Sequence, residues 1–155
     1  MRINWNEYFM SLAILTSYRS IDPSTKVGAI VIDEDNKIVS LGYNGMPRGI
    51  DPINLTWNKN IGSLDNKYLY VCHAELNAIL NTRNGNSVKN CTLYVTLFPC
   101  NECAKILIQT GIKKVVYLDD KYHDDVQFQA SRKLLELAGI ECVKYDGRIC
   151  NLTLE

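Results

Sequence analysis

The chain has 155 residues, 46% of them hydrophobic and 22% charged, and its 17 Lys and Arg balance its 17 Asp and Glu. That length suits a single domain over residues 1–155 with one buried core, and the composition argues against disorder. Balanced charge speaks against a protein bound to nucleic acid polymers, which need excess Lys and Arg, and no apolar run approaches the roughly 20 residues of a membrane span.

In chain order, Asn4-Trp-Asn-Glu7 reads as a capping box. Trp5, Phe9, Leu12, Ala13 and Thr16 then follow helical spacing to about Tyr18. Val27 to Asp33 and Lys37 to Tyr43 read as strands around an Asp35-Asn36 turn, hence an antiparallel hairpin. The stretch from Asn44 to Leu69, broken by Gly45, Pro47, Gly49, Pro52 and Gly62, is long enough to expect a functional loop. Leu76, Ile79 and Leu80 mark a second helix ending at Asn84-Gly85. A strand over Cys91 to Thr96, a helix through Ala104, Leu107 and Ile108 ending at Gly111, and a strand over Lys114 to Leu118 follow. A helix through Val126, Ala130, Leu134 and Leu137 ending at Gly139, and a strand over Ile140 to Tyr145, complete the chain. The alternation in the second half implies parallel crossovers. The expected fold is α/β, a three-layer α/β/α sandwich around a five-stranded mixed sheet. With no secretion pattern at the N-terminus, a soluble cytoplasmic protein is expected.

Six cysteines and two histidines limit the metal chemistry available. A disulfide framework suits short secreted chains, so metal binding or plain burial is the better expectation. His73-Ala-Glu75 opens the second helix, and Pro99-Cys100-Asn-Glu-Cys103 opens the third. Cys100 and Cys103, three residues apart, face one side of a helical turn. A helix start favours thiolates there. One imidazole and two thiolates make a catalytic Zn²⁺ site with a position left for water, whose pKa the metal lowers. Glu75 stands two residues from His73, better placed as a proton shuttle than as a ligand. A His-x-Glu followed by Pro-Cys-x-x-Cys is the signature of zinc deaminases.

These motifs resemble those of the deoxycytidylate deaminases within the cytidine deaminase superfamily, over nearly the whole chain. The resemblance extends to Arg19-Ser-Ile-Asp-Pro23, Gly42-Tyr-Asn-Gly-Met-Pro47, Tyr70-Val-Cys-His-Ala-Glu-Leu-Asn-Ala78, Tyr94-Val-Thr-Leu-Phe-Pro-Cys-Asn-Glu-Cys-Ala104 and Asp120-Lys-Tyr-His-Asp124. It implies a cytidine deaminase-like fold and hydrolytic removal of the 4-amino group of dCMP, giving dUMP for thymidylate synthesis. His73, Cys100 and Cys103 would hold zinc, and Glu75 would move the protons. The same chemistry on dCTP, cytidine or another nucleobase is the alternative. An intact Glu75 argues against a catalytically silent nucleotide sensor.

The resemblance further implies a homo-oligomer, hexameric in many relatives, activated by dCTP and inhibited by dTTP, with Mg²⁺ accompanying the triphosphate. Asn44 matches the asparagine that contacts the nucleoside sugar. Backbone N–H groups at Ala74 and near Cys100 would orient the base. Arg19 is a candidate for phosphate, since a guanidinium fork suits it. Tyr122, with Lys121 and His123, follows a strand end, where ligands of α/β sheets tend to sit. Gly45, Pro47, Gly49 and Arg83 are the candidates for the allosteric nucleotide site.

Overall fold

Every residue of the first strand is buried, which requires cover on both faces of a sheet. The computed structural model describes residues 1–82 and 87–151. Five strands form one sheet: β1 (Gly28–Ile32), β2 (Ile38–Tyr43), β3 (Thr92–Leu97), β4 (Lys114–Asp119) and β5 (Glu141–Lys144). Their order across it is β2-β1-β3-β4-β5. β1 is antiparallel to β2 and β3, whereas β3, β4 and β5 run parallel. Four helices complete the fold: α1 (Trp5–Ser17), α2 (Ala74–Leu80), α3 (Asn101–Thr110) and α4 (Val126–Leu137). The mixed five-stranded sheet and the order of elements are those expected.

Successive side chains along a strand point to opposite faces. Ala29 and Val31 join Ala74 and Ala78 of α2 and Ala104 and Leu107 of α3 in one core. Ile30 and Ile32 meet Phe9, Met10 and Ala13 of α1 in a second. Both crossovers, β3-α3-β4 and β4-α4-β5, advance across the sheet in one direction. Right-handed connection therefore places α3 and α4 on the same face, where Leu135 of α4 joins the first core. α1 covers the opposite face, giving three layers.

Helix ends follow local chemistry. Asn4 and Glu7 form a reciprocal capping box, with the Glu7 N–H donating to Asn4 Oδ1 at 2.9 Å and the Asn4 N–H to Glu7 Oε2 at 2.8 Å. Gly111 stops α3 with φ of 79°, a conformation glycine adopts without a Cβ penalty. α2 ends earlier than its sequence pattern suggests, with Asn81 at the C-cap; the expected stop at Asn84-Gly85 lies outside the described residues. The amides of Asn77 and Asn81, one helical turn apart, donate to the Tyr43 and Leu41 carbonyls at 2.8 Å each and pin α2 to the edge strand. Among the described residues no helix is long and apolar enough to cross a membrane.

That pinning brings backbone against backbone at Gly42. A Cβ there would lie 2.3 Å from Ala78 N, 2.6 Å from the Ala74 carbonyl oxygen and 2.8 Å from the Asn77 carbonyl carbon. None of these atoms is the end of a flexible side chain, so α2 itself must shift. Gly42→Ala is expected to cost about 1–3 kcal/mol and to displace His73 and Glu75 with the helix. Thermal denaturation together with zinc per chain checks this; unchanged melting and full metal loading would contradict the tight contact.

Candidate active site

α2 and α3 both begin in a way that is poor for a helix alone. His73 and Cys100 are their N-cap residues, each in extended backbone, and neither side chain makes a capping hydrogen bond. Ser, Thr, Asp or Asn at such a position typically contributes about 1 kcal/mol, as Asn4 illustrates on α1. Giving up that contribution at two helices marks a site where side chains are committed elsewhere.

They are committed to one another. Cys100 Sγ lies 3.4 Å from His73 Nδ1, and Cys103 Sγ lies 3.5 Å from the same nitrogen. The three donor atoms all fall within 4.8 Å of one another, the one such group found among the described residues. A tetrahedral metal about 2.3 Å from sulfur and about 2.0 Å from nitrogen sets those two atoms about 3.5 Å apart. Spacing and donor chemistry therefore fit Zn²⁺.

In the metal-free cluster the protons are unevenly shared, and a metal must displace those that remain on its ligands. A hydrogen bond with Cys103, followed by one with His73, pulls the Cys100 thiol down to about 4 against the effect of burial. Its contact with Cys100 raises His73 to about 9. Cys103 is pushed the other way, first by its contact with Cys100 and then by burial. Of the two sulfurs, Cys100 is the thiolate that meets a cation first, because the thiolate is the ligand form.

Glu75 is 4% exposed, and its Oε2 stands 3.5 Å from Cys103 Sγ. It is outside the three-donor group. Burial raises its carboxyl above the ordinary value, and the facing His73 partly opposes that. A carboxyl whose proton affinity is raised in this way is suited to carrying protons.

A cleft of about 540 Å³ opens onto these residues. Phe98, Leu97 and Val27 give it apolar walls, and His73, Glu75 and Cys100 reach its lining. Volume and lining are those of a small-molecule site. Of the residues singled out by sequence, Asn44, Ala74 and Tyr122 line the cleft. Tyr122 leans on the Phe128 ring at 5.5 Å. A hydrogen bond with Thr25 and the nearby Lys121 hold its phenol below the ordinary value, against burial.

Arg19 is exposed, is not among the residues lining the cleft, and rests 5.9 Å over the Tyr43 ring. His123 is at the surface beside Asp124. Pro47 and Gly49 sit on the loop after β2, and Gly45 pairs with Cys72 by two backbone hydrogen bonds, Gly45 N–H to Cys72 O at 3.0 Å and Cys72 N–H to Gly45 O at 2.8 Å. That bridge ties the loop to the residue before His73. Arg83 lies outside the described residues.

Sequence reasoning missed Lys59, Lys67 and Thr25, which also line the cleft. Lysines in a loop normally read as solvated surface, so composition carried no signal for Lys67, which is 4% exposed.

The family model described as the cytidine and deoxycytidylate deaminase zinc-binding region matches residues 3–119. The chain belongs to this family. Deoxycytidylate deaminase of Mus musculus is 49% identical over 154 residues, covering 99% of this chain and 86% of its own length. The Homo sapiens enzyme of that name is 48% identical over the same shares. Within the solved structures, dCMP deaminase from the cyanophage S-TIM5, in complex with dCMP and dUMP, superposes with a TM-score of 0.74 at 28% identity. That match covers 94% of this chain and 99% of the phage chain. The protein is thus a deaminase with a cytidine deaminase-like fold, and its His73, Cys100 and Cys103 cluster lies inside the matched zinc-binding region.

Proposed function

We propose that this deaminase hydrolyses dCMP to dUMP and ammonia, with residues 1–155 acting as one catalytic domain. The observation that carries the chemistry is a buried Glu75 carboxyl beside, and not part of, the His73, Cys100 and Cys103 donor set. Names of close relatives supply the substrate.

Held by His73, Cys100 and Cys103, Zn²⁺ would supply the Lewis acidity that makes water nucleophilic at neutral pH. The rest falls to the chain. Glu75 takes the proton of the water that adds to C4 of cytosine and gives it to N3. It then takes the proton of the new C4 hydroxyl and gives it to the amino nitrogen. The C4–N4 bond breaks, ammonia leaves and C4 becomes a carbonyl. A carboxyl raised by burial suits both directions of transfer. The Ala74 N–H, a first-turn donor with no intrahelical acceptor, orients the base. Asn44 faces the sugar. Tyr122 flanks the nucleotide, and Lys59 and Lys121 stand nearer the cleft for its phosphate than Arg19, which is not among the lining residues. Lys59 lines the cleft, and Lys121 Nζ reaches Thr25 Oγ1 in its wall at 3.2 Å.

The enzyme works as a cytoplasmic homo-oligomer, a hexamer, and supplies dUMP for thymidylate synthesis. The support for an assembly is the family resemblance. Activation by dCTP with Mg²⁺ and inhibition by dTTP act through the loop of Gly45, Pro47 and Gly49 and through Arg83. The support is the family resemblance and the Gly45–Cys72 bridge beside His73.

Comparing kcat/KM for dCMP, deoxycytidine and dCTP tests the substrate. Two charge-assisted contacts to the phosphate are worth roughly 10²-fold or more for dCMP over deoxycytidine. Equal values would overturn the nucleotide reading, and a preference for dCTP would move the substrate to the triphosphate.

A further inference from the structure

Between the cleft and the loops around it lies an ion pair that the chemistry above leaves unused. Lys67 Nζ sits 2.8 Å from each carboxylate oxygen of Asp22. Their side chains are 5% and 2% exposed. Burying two opposite charges costs much of what their attraction returns, and an apolar pair of similar size often serves stability as well. Stability alone therefore accounts poorly for this pair, and its remaining contacts point to placement.

Asp22 Oδ1 also accepts the N–H groups of Ser24 at 2.8 Å and Thr25 at 3.2 Å, fixing the turn that enters the cleft wall. Burial pushes its carboxyl up, but Lys67 and these N–H groups together hold it below the ordinary value. Asp22 Oδ2 accepts from Asn44 Nδ2 at 3.4 Å. The same nitrogen donates to the Thr25 carbonyl at 2.9 Å, and Asn44 Oδ1 accepts the Val27 N–H at 2.8 Å. Both amide hydrogens of Asn44 are thus engaged within the protein, and one of the two Oδ1 lone pairs is left. Turned over, the amide would set its NH₂ against the Val27 N–H. Asn44 lines the cleft, and in its observed orientation the capacity it has left is that of an acceptor. A 2′-deoxynucleoside 5′-phosphate carries one free sugar hydroxyl, at the 3′ position, and a hydroxyl donates to an acceptor.

We infer that the buried Asp22–Lys67 pair is a positioning device that holds the Asn44 amide as an acceptor for the 3′-hydroxyl of the substrate. This rests on the reading of the cleft as a dCMP site. Lys67 also carries the device towards the metal ligands. Its N–H donates to the Asn58 carbonyl at 2.7 Å, and its own carbonyl accepts the N–H groups of Tyr70 and Val71, both at 3.0 Å, on the path to His73.

Asp22→Asn tests the inference, since a side-chain NH₂ placed there meets Lys67 and Asn44, both donors. Two readouts are needed. The first is hydrogen exchange of the Asn44 side-chain amide by NMR in the ligand-free protein, expected to be slow in the wild type and to quicken about tenfold or more in the variant. The second is the ratio of kcat/KM for dCMP to that for 2′,3′-dideoxycytidine 5′-monophosphate. Loss of one well-placed hydrogen bond is worth about tenfold, so the wild type is expected to prefer dCMP by about that factor and the variant to show a ratio near one. KM for dCMP rises more than kcat falls, with zinc per chain unchanged. A lowered melting temperature with the ratio and amide exchange intact would reduce the pair to a structural role and overturn the inference. If Asp22→Asn does not fold, the double variant Asp22→Leu/Lys67→Met removes both charges together, with the same expected loss of ratio. Lys67 contacting substrate directly would show as a ratio kept in Asp22→Asn, which also overturns it. A wild type inactive on dCMP would retire the substrate reading, and the amide exchange would then decide the positioning by itself.

Discussion

Glu75→Gln lowers turnover by roughly 10²–10⁴-fold while the fold and the bound zinc persist. The substitution keeps the shape of the side chain and removes its capacity to carry a proton. Glu75 is buried beside Cys103 and is not one of the three donors, so the metal loses no ligand. Burial lifts the carboxyl above its ordinary value and favours its holding a proton; a carboxamide in the same pocket is inert. The measurement is kcat for dCMP alongside zinc per chain and melting temperature on one preparation. Zinc lost from a folded variant would make Glu75 a ligand. Activity retained would place the shuttle elsewhere.

Cys100→Ala removes zinc and turnover together. The thiol is held at about 4 by its contacts with Cys103 and then with His73, so at neutral pH it is the donor already in ligand form. Two donors remain, too few for a tetrahedral site that keeps one position for water. The loss of Lewis acidity is worth several kcal/mol, so turnover falls by at least roughly 10³-fold. Stability shifts little from capping, because no Cys100 side-chain hydrogen bond caps the helix. Metal analysis and circular dichroism check both halves: a folded, zinc-free, inactive protein is expected, and a metal-loaded active one would dismiss the site.

Much of this was legible from sequence because its signals are local. The capping box at Asn4 and Glu7 involves side chains three residues apart. The unbroken apolar run Ala29 to Ile32 in β1 suits a strand covered on both faces, and Gly111 ends α3 through its own backbone. His73, Glu75, Cys100 and Cys103 were readable because each pair sits within one helical turn, and two such turns open successive helices. What escaped depends on long-range packing. Lys67 meets Asp22 across 45 positions of sequence, so no periodicity marks either partner, and a lysine inside a long loop reads as surface. Arg19 shows the converse. It was singled out within Arg19-Ser-Ile-Asp-Pro23, and it lies exposed over Tyr43 and is not among the residues lining the cleft. α2 closes at Asn81, whose side chain bonds across to Leu41, a tertiary contact that helical spacing cannot anticipate.

The most direct measurement is the rate of dCMP deamination, followed by ultraviolet absorbance, for zinc-loaded and chelator-stripped samples of the same protein. The account predicts turnover in the loaded sample, its loss on stripping and its return with one equivalent of zinc per chain. A folded, zinc-loaded protein that leaves dCMP unchanged, or a stripped one that still turns it over, would contradict it.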